Sequence, residues 1–566
     1  MTSPSNTPAP TEIATLSQEY LDVLLDRHPI GASLLGVEGR EDRLPDHSEA
    51  GGEAYVRRLA ALRARAEAVD PSALALTEQV TRTVLLQQIA AAQDQVHVRA
   101  PEYTVSDTLF SPAVETLVLL GMVGVAEQRH ADGHLARLAA LPDVFEAIAQ
   151  RHRDGVAAGR VPVHRLTEST IAYFERILAS DRIEVLADTE PAPDSGVDAV
   201  AFRAERDRLL ETALRPALAR YRDVLRDEVL PHTRPDERPG LTWLPGGDDY
   251  YAKLVKYHTT TGRTARELHD LGLELVGRLR DEIAETGARA LRTGDADEAL
   301  DRLRTDPALR WRDGDELLDA AREAIARAEA AAPAWFGRLP SQSCTVRPVP
   351  DGEAPGAPSA YYVLPALDGA RPGIYFANTY EADKRDRFSA ETTAFHEAVP
   401  GHHLQIALAQ ELTDVPLFQR IADVNAYSEG WGLYAERLAD EMGLFSSDLD
   451  RLGMLSEESV RACRLVVDTG LHALGWTRAQ AVEFMAANTA TAPIEVETEI
   501  DRYIAAPGQA LAYMVGRLEI QRLRTEAEQA LGPRFDIRGF HDTVLGYGCL
   551  PMDALALVVH HWTGDQ

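Results

Sequence analysis

Cysteines are few, aromatics are sparse and long apolar runs are missing, and each scarcity closes off a class of protein. Three cysteines in 566 residues, Cys344, Cys463 and Cys549, lie far apart and outside any C-x-x-C pattern, so neither a disulfide framework nor a thiolate zinc site is indicated. The longest apolar stretches, such as 116–125 (TLVLLGMVGV), fall short of the ~18 residues a membrane span needs. Basic charge is in deficit: 58 Lys and Arg against 89 Asp and Glu leave a net charge of −31. Such a surface repels a phosphate backbone or an anionic bilayer, so neither nucleic acid nor membrane is an expected partner. The N-terminal text has no basic segment followed by an apolar one, so no signal peptide is read and a cytoplasmic location is expected. With aromatics at 6%, the 45% hydrophobic and 26% charged content is still that of a globular chain.

What is present is helical periodicity. LSQEYLDVLLDRHP opens with a helix that Pro29 ends, and 53–95 carries apolar residues at three- and four-residue spacing. Thr264 and Glu267 form a capping box before a long amphipathic helix. Segments 391–412 and 425–442 read as helices as well, as do several stretches beyond them. One region departs: 344–378 is rich in Pro, Gly, Tyr and Val and predicts short strands joined by turns. No internal repeat is visible.

The sharpest feature follows that region, in Phe395-His396-Glu397-Ala398-Val399-Pro400-Gly401-His402-His403-Leu404-Gln405. A His-Glu pair with another His one turn later is how a helix offers two imidazoles to zinc and a carboxylate to water. The usual second position, four residues on, is Pro400, which cannot coordinate. His402 and His403 lie six and seven residues on; in a regular helix the first faces away and the second is roughly 10 Å along the axis. Pro400 forbids a regular helix, however, and Gly401 permits unusual backbone angles. A bulge absorbing two residues would return His402 to the metal face; one absorbing three would return His403. The third ligand is expected from Glu429, 27 residues beyond His402 on an antiparallel helix whose Gly430 and Gly432 suit close packing.

With these residues in view the sequence resembles the bacterial DUF885 family, marked by an H-E-x-x-P-G-H-H-L-Q segment. Further matches are 29–48 (PIGASLLGVEGREDRLPDHS), 244–262 (LPGGDDYYAKLVKYHTTTG), 371–380 (RPGIYFANTY) and 499–516 (EIDRYIAAPGQALAYMVG). That family is similar in fold to the M32 zinc carboxypeptidases. The resemblance implies a mainly α, multi-helix body over 13–566 behind a disordered tail at 1–12. It also implies a small antiparallel sheet near 343–378, zinc-site helices over 391–442, and a deep cleft holding one Zn²⁺. Carried over, His396, His402 and Glu429 would bind zinc and Glu397 would be the general base. His402 is favoured over His403 because it matches the Gly-His position shared with M32; His403 would then touch substrate.

Donors to an oxyanion and a grip on substrate are expected from the segment at 502–517. Tyr503 and Tyr513 are the catalytic candidates there; Pro507 suits a helix first turn, from which Gln509, Tyr513 and Arg517 form one polar stripe. Arg502 or Arg517 would hold a substrate carboxylate in a bidentate grip. Arg371, a further expected substrate contact, lies with Tyr361 and Tyr362 near the expected strands, and 371–378 as an edge strand could receive an extended peptide. His541, His258, His560 and His561 are read as core or surface histidines. The expected activity is zinc-dependent hydrolysis of a short peptide or small peptide-like amide, with homodimerisation left open. The rivals are a biosynthetic metalloenzyme acting on a non-peptide amide, and an inactive helical binding protein.

Overall fold

The computed structural model describes residues 11–351, 354–366 and 371–565. The expected N-terminal tail falls largely on 1–10, outside the described residues. Within it, Thr11 caps the first helix and Glu12 begins it, so order starts earlier than residue 13. Helices dominate. Glu12–Arg27 is followed at once by Pro29–Leu34, whose first position is the proline expected to end the first helix. The periodic stretch at 53–95 is two helices, Glu49–Ala68 and Leu76–His97. The Thr264–Glu267 capping box is present and opens the helix Ala265–Ala290. No described helix is long and apolar enough to cross a membrane.

Two large apolar cores organise the described residues, beside a small third cluster of Val125, Ala131 and Phe202. The smaller gathers Pro112–Gly121, Gln128–Ala157, His164–Ala179 and Arg215–Val224 around Phe145, Phe174 and Tyr221. The larger is threaded by Asp448–Ala473, which is buried on nearly every face from Leu452 to His472. A helix buried all round must satisfy its polar side chains internally. Asp468 does so by accepting from Tyr251 Oη and the Gly508 N–H, and His472 bonds the Leu241 N–H and the Tyr503 carbonyl.

The departure from helix is a three-stranded sheet of β1 (Cys344–Pro348), β2 (Ala360–Val363) and β3 (Gly373–Ala377). Its order is β1-β3-β2. The expected antiparallel sheet is in fact mixed: β2 runs antiparallel to β3, but β1 runs parallel to it. The same pairing corrects the reading of 371–378 as an edge strand. Both edges of β3 are hydrogen-bonded to protein strands, and its Ile374 and Tyr375 are buried as a central strand requires.

Candidate metal centre

The His-Glu motif ends one helix and begins another. Ala390–Glu397 stops at the glutamate, and His402–Glu411 starts at the second histidine. The expected bulge is therefore a complete break. Pro400 has no N–H to continue the ladder, its peptide bond with Val399 is cis, and Ala398 and Gly401 leave helical angles. A Cβ on Gly401 would stand 1.8 Å from the His396 carbonyl oxygen, so no larger residue fits there. The Trp431 indole N–H donates to the Pro400 carbonyl at 2.9 Å and ties the break to the helix Asn425–Glu441.

This break brings the His396 and His402 rings to 4.7 Å between centroids, at right angles to each other. Glu429 comes from Asn425–Glu441: its Oε2 lies 3.5 Å from His402 Nε2 and 3.8 Å from His396 Nε2. One donor atom from each residue lies within 4.8 Å of the others. Bonds of about 2.0–2.1 Å at tetrahedral angles place ligand atoms roughly 3.3 Å apart, so the set fits a zinc-sized ion. Gly432 makes room for it: a Cβ there would meet His396 Cε1 at 2.7 Å and His402 Cε1 at 3.1 Å. Gly430, on the opposite face, serves close packing, for its Cβ would be 2.5 Å from Gly516 Cα on Ala512–Leu531.

Glu436 was not foreseen. Its Oε1 bonds His396 Nδ1 at 2.7 Å, which orients the ring and leaves Nε2 for the centre. The signal was available in sequence, since Glu436 lies two turns beyond Glu429 on the same helical face. Burial alone would depress the His396 imidazole, yet the carboxylates of Glu429 and Glu436 outweigh it and carry its pKa up to about 10. Burial would raise the Glu429 carboxyl; His396 and His402 prevail and hold it well below the usual range. Glu397 is half-buried, and among the described residues no hydrogen bond or ion pair engages its side chain. It lies close enough to the sheet for its charge to be felt by Tyr375 and Cys344.

Adjacent histidines have opposite fates. His403 is not at the centre and is not open to substrate: Tyr362 Oη bonds its Nδ1 at 2.9 Å and the Gln342 carbonyl accepts from its Nε2 at 3.0 Å. It follows His402 by one residue, about 100° round the helix. Tyr503 is also corrected, because its ring is fully buried and its hydroxyl is held between Arg464 Nε and Glu499. Arg517 is buried in an ion pair with Glu458, which Arg437 shares. The guanidinium of Arg502 is spent on Glu499 and Gln509. The expected stripe is broken as well: Gln509 lies in a short turn, and the helix begins only at Ala512.

Tyr513 alone of that group stays beside the centre, half-buried and within range of the Glu429 charge. Arg371 is exposed, with its charge felt by Tyr362, whereas Tyr361 stacks on Phe376. His541 is a core residue bonded to Tyr434 and the Trp335 carbonyl, and His560 is an exposed partner of Glu526.

Fold and site together define a mainly helical protein with a small mixed sheet and a partly buried His-His-Glu cluster of metal-binding geometry. The chain belongs to the family described as bacterial protein of unknown function (DUF885), whose model matches residues 29–559. No curated protein matches it. Among solved structures, it is similar to a protein titled "putative lipoprotein" from Colwellia psychrerythraea. The identity is 26% and the TM-score 0.89, over 98% of this chain and 99% of that one. A "putative lipoprotein of unknown function" from Shewanella oneidensis shares the fold at 19% identity and a TM-score of 0.77, over 97% and 99% of the two chains.

Proposed function

We propose that the protein is a zinc-dependent hydrolase of amide bonds in short peptides or small peptide-like molecules, built like the M32 carboxypeptidases around a deep cleft. The observation that carries the reading is the convergence of His396, His402 and Glu429 beside a glutamate, Glu397, whose side chain makes no hydrogen bond or ion pair among the described residues. A zinc ion held by the three ligands would polarise an amide carbonyl and acidify water. Glu397 accepts the proton of the attacking water and returns it to the leaving amine. Tyr513 is the side chain best placed to donate to the developing oxyanion.

Access to solvent supports a cleft. Glu429 lies deep in the chain, yet 24% of its side chain is exposed. A separate hollow of about 750 Å³ lies between the smaller core's helix His164–Ala179 and Pro493–Ala505, with Arg502 in its wall and none of the three ligands lining it. A cytoplasmic setting without nucleic-acid partners belongs to the same proposal.

Metal analysis of the purified protein together with a peptide-library digest tests it. About one zinc per chain and cleavage that a chelator abolishes are expected. A protein that takes up no divalent metal, or cleaves nothing when loaded, would sink the proposal.

A further inference from the structure

Segment 244–262 supplies two side chains that the metal cluster does not use. Tyr257 and His258 adjoin on the helix Gly247–Thr259, their ring centroids 4.7 Å apart, and both reach the foot of the helix bearing Glu429. Tyr257 Oη donates to Asp423 Oδ2 at 3.0 Å. Asn425 Nδ2 donates to the other oxygen, Oδ1, and the Asn425 side chain is bonded in turn to His258. Each oxygen of Asp423 therefore has one neutral donor and keeps a lone pair. Among the described residues no Arg, Lys or His pairs with this carboxylate. Protein surrounds Asp423 closely enough for burial to raise its pKa, and the Glu429 charge adds to the rise. Its side chain is nevertheless exposed, so it faces solvent from within a recess. An enclosed carboxylate without a cation is costly, and a cation from outside would complete it.

The position of this carboxylate gives it a use. Asn425 and Glu429 stand four residues apart on Asn425–Glu441, on one face and about 6 Å apart along the axis. Asp423, bonded to Asn425, is thus about one helical turn from the metal cluster. We infer that the substrate carries a free α-ammonium group on the acyl side of the cleaved amide, and that Asp423, set in place by Tyr257 and Asn425, receives it. The placing of the amide rests on the hydrolase reading; the ammonium site itself rests on Asp423. Covalent geometry selects the α-amine. Its nitrogen lies about 2.5 Å from the carbonyl carbon of its own residue, and a charged hydrogen bond adds about 2.8 Å. Together these span about one helical turn, whereas a lysyl ε-ammonium, four methylenes further out, overshoots.

Calorimetric titration of the zinc-loaded Glu397→Gln protein separates the two claims, because it needs no turnover. The probes are alanyl-alanine amide, its N-acetyl derivative, and acetyl-lysyl-alanine amide. The free amine should bind about 10- to 100-fold tighter than the acetylated dipeptide, the usual worth of a charged hydrogen bond. That advantage should fade above about pH 8, where an α-amine loses its proton. The lysyl probe should bind no better than the acetylated dipeptide. Asp423→Asn, which keeps the side chain's shape, should remove the preference with zinc content unchanged; Tyr257→Phe, which frees one oxygen of Asp423, should narrow it. The comparison of probes and the pH dependence are read in protein with Asp423 intact, so a variant that fails to fold does not decide the matter. Equal binding of the free and acetylated probes, no binding of either, or a preference that survives Asp423→Asn overturns the inference. So does a gain by the lysyl probe that matches the free amine's. A tightly bound free amine that the wild-type enzyme fails to hydrolyse would instead count against the hydrolase reading and leave the ammonium site standing.

Discussion

Two clusters of buried charge, built in opposite senses, separate structure from chemistry in this protein. At Glu102, wholly buried beside the smaller core, one carboxylate takes Arg99 and Arg151 on Oε1 and Arg160 on Oε2, at 2.5–2.6 Å. Donors surround acceptors, and the carboxylate is saturated. At His396, His402 and Glu429, three electron-pair donors converge: Glu429 Oε2 lies 3.5 Å and 3.8 Å from the Nε2 atoms of His402 and His396, and all three lie within 4.8 Å of one another. The carboxylates of Glu429 and Glu436 raise the His396 pKa, and His402 Nδ1 stays buried and unpartnered. A cluster that closes on itself serves stability, whereas one whose members converge on a shared centre invites a cation.

The comparison breaks most sharply on the neighbouring histidines. His402→Ala should abolish stoichiometric zinc, while His403→Ala should retain it and lose only stability, as read by metal analysis of the folded fractions. The opposite pattern would exchange their roles. Next in size is Glu397→Gln, expected to keep zinc and lose turnover by about 10²- to 10⁴-fold, the usual worth of a general base. Equal loss of metal and activity would remove Glu397 from the proton's path. Glu102→Ala should leave zinc content untouched and destabilise by about 3–5 kcal/mol in urea unfolding, because three guanidiniums lose a buried partner. A zinc-binding defect there would deny the division between the clusters. Glu436→Gln should weaken zinc affinity by about 10- to 100-fold in competition with a chelator.

The smallest effect is on pH. In the metal-free protein His396 holds its proton to about pH 10, against 6.5 for a free imidazole. A raised pKa of this kind gives stability that is complete below pH 6.5 and is lost as pH climbs towards 10. Zinc must displace that proton, so the rise in Tm caused by zinc should grow from pH 6.5 to pH 9. Scanning calorimetry at several pH values checks the sign; a flat or falling increment contradicts it.

The histidine pair of the cluster was legible because its signals are local. His396, Glu397 and the Pro400-Gly401 pair lie within six residues, and a proline in that place forces a departure from helix whatever surrounds it. The form of the departure was not legible. A break instead of a bulge is set by Trp431, 31 residues away, donating to Pro400. Tyr503 and Arg517 failed as substrate contacts for a similar reason, since their partners, Arg464 and Glu458, come from Asp448–Ala473. The strand segments were readable from composition, but their order was not, because β2 docks on the far side of β3 from β1. Glu436 was within reach of a helical-face count and was missed.

Residue types and short spacings determined which chemistry this chain could carry: helices from periodicity, a two-histidine motif, and a carboxylate for the third ligand. Tertiary structure decided which of those groups are left unengaged. A side chain's chemistry is its own, but its availability depends on whether some distant segment has supplied its hydrogen-bond partner, and only packing settles that. His402 and His403 are the same imidazole one residue apart. One is turned into the cluster with His396 and Glu429, and the other is closed off by Tyr362 and the Gln342 carbonyl.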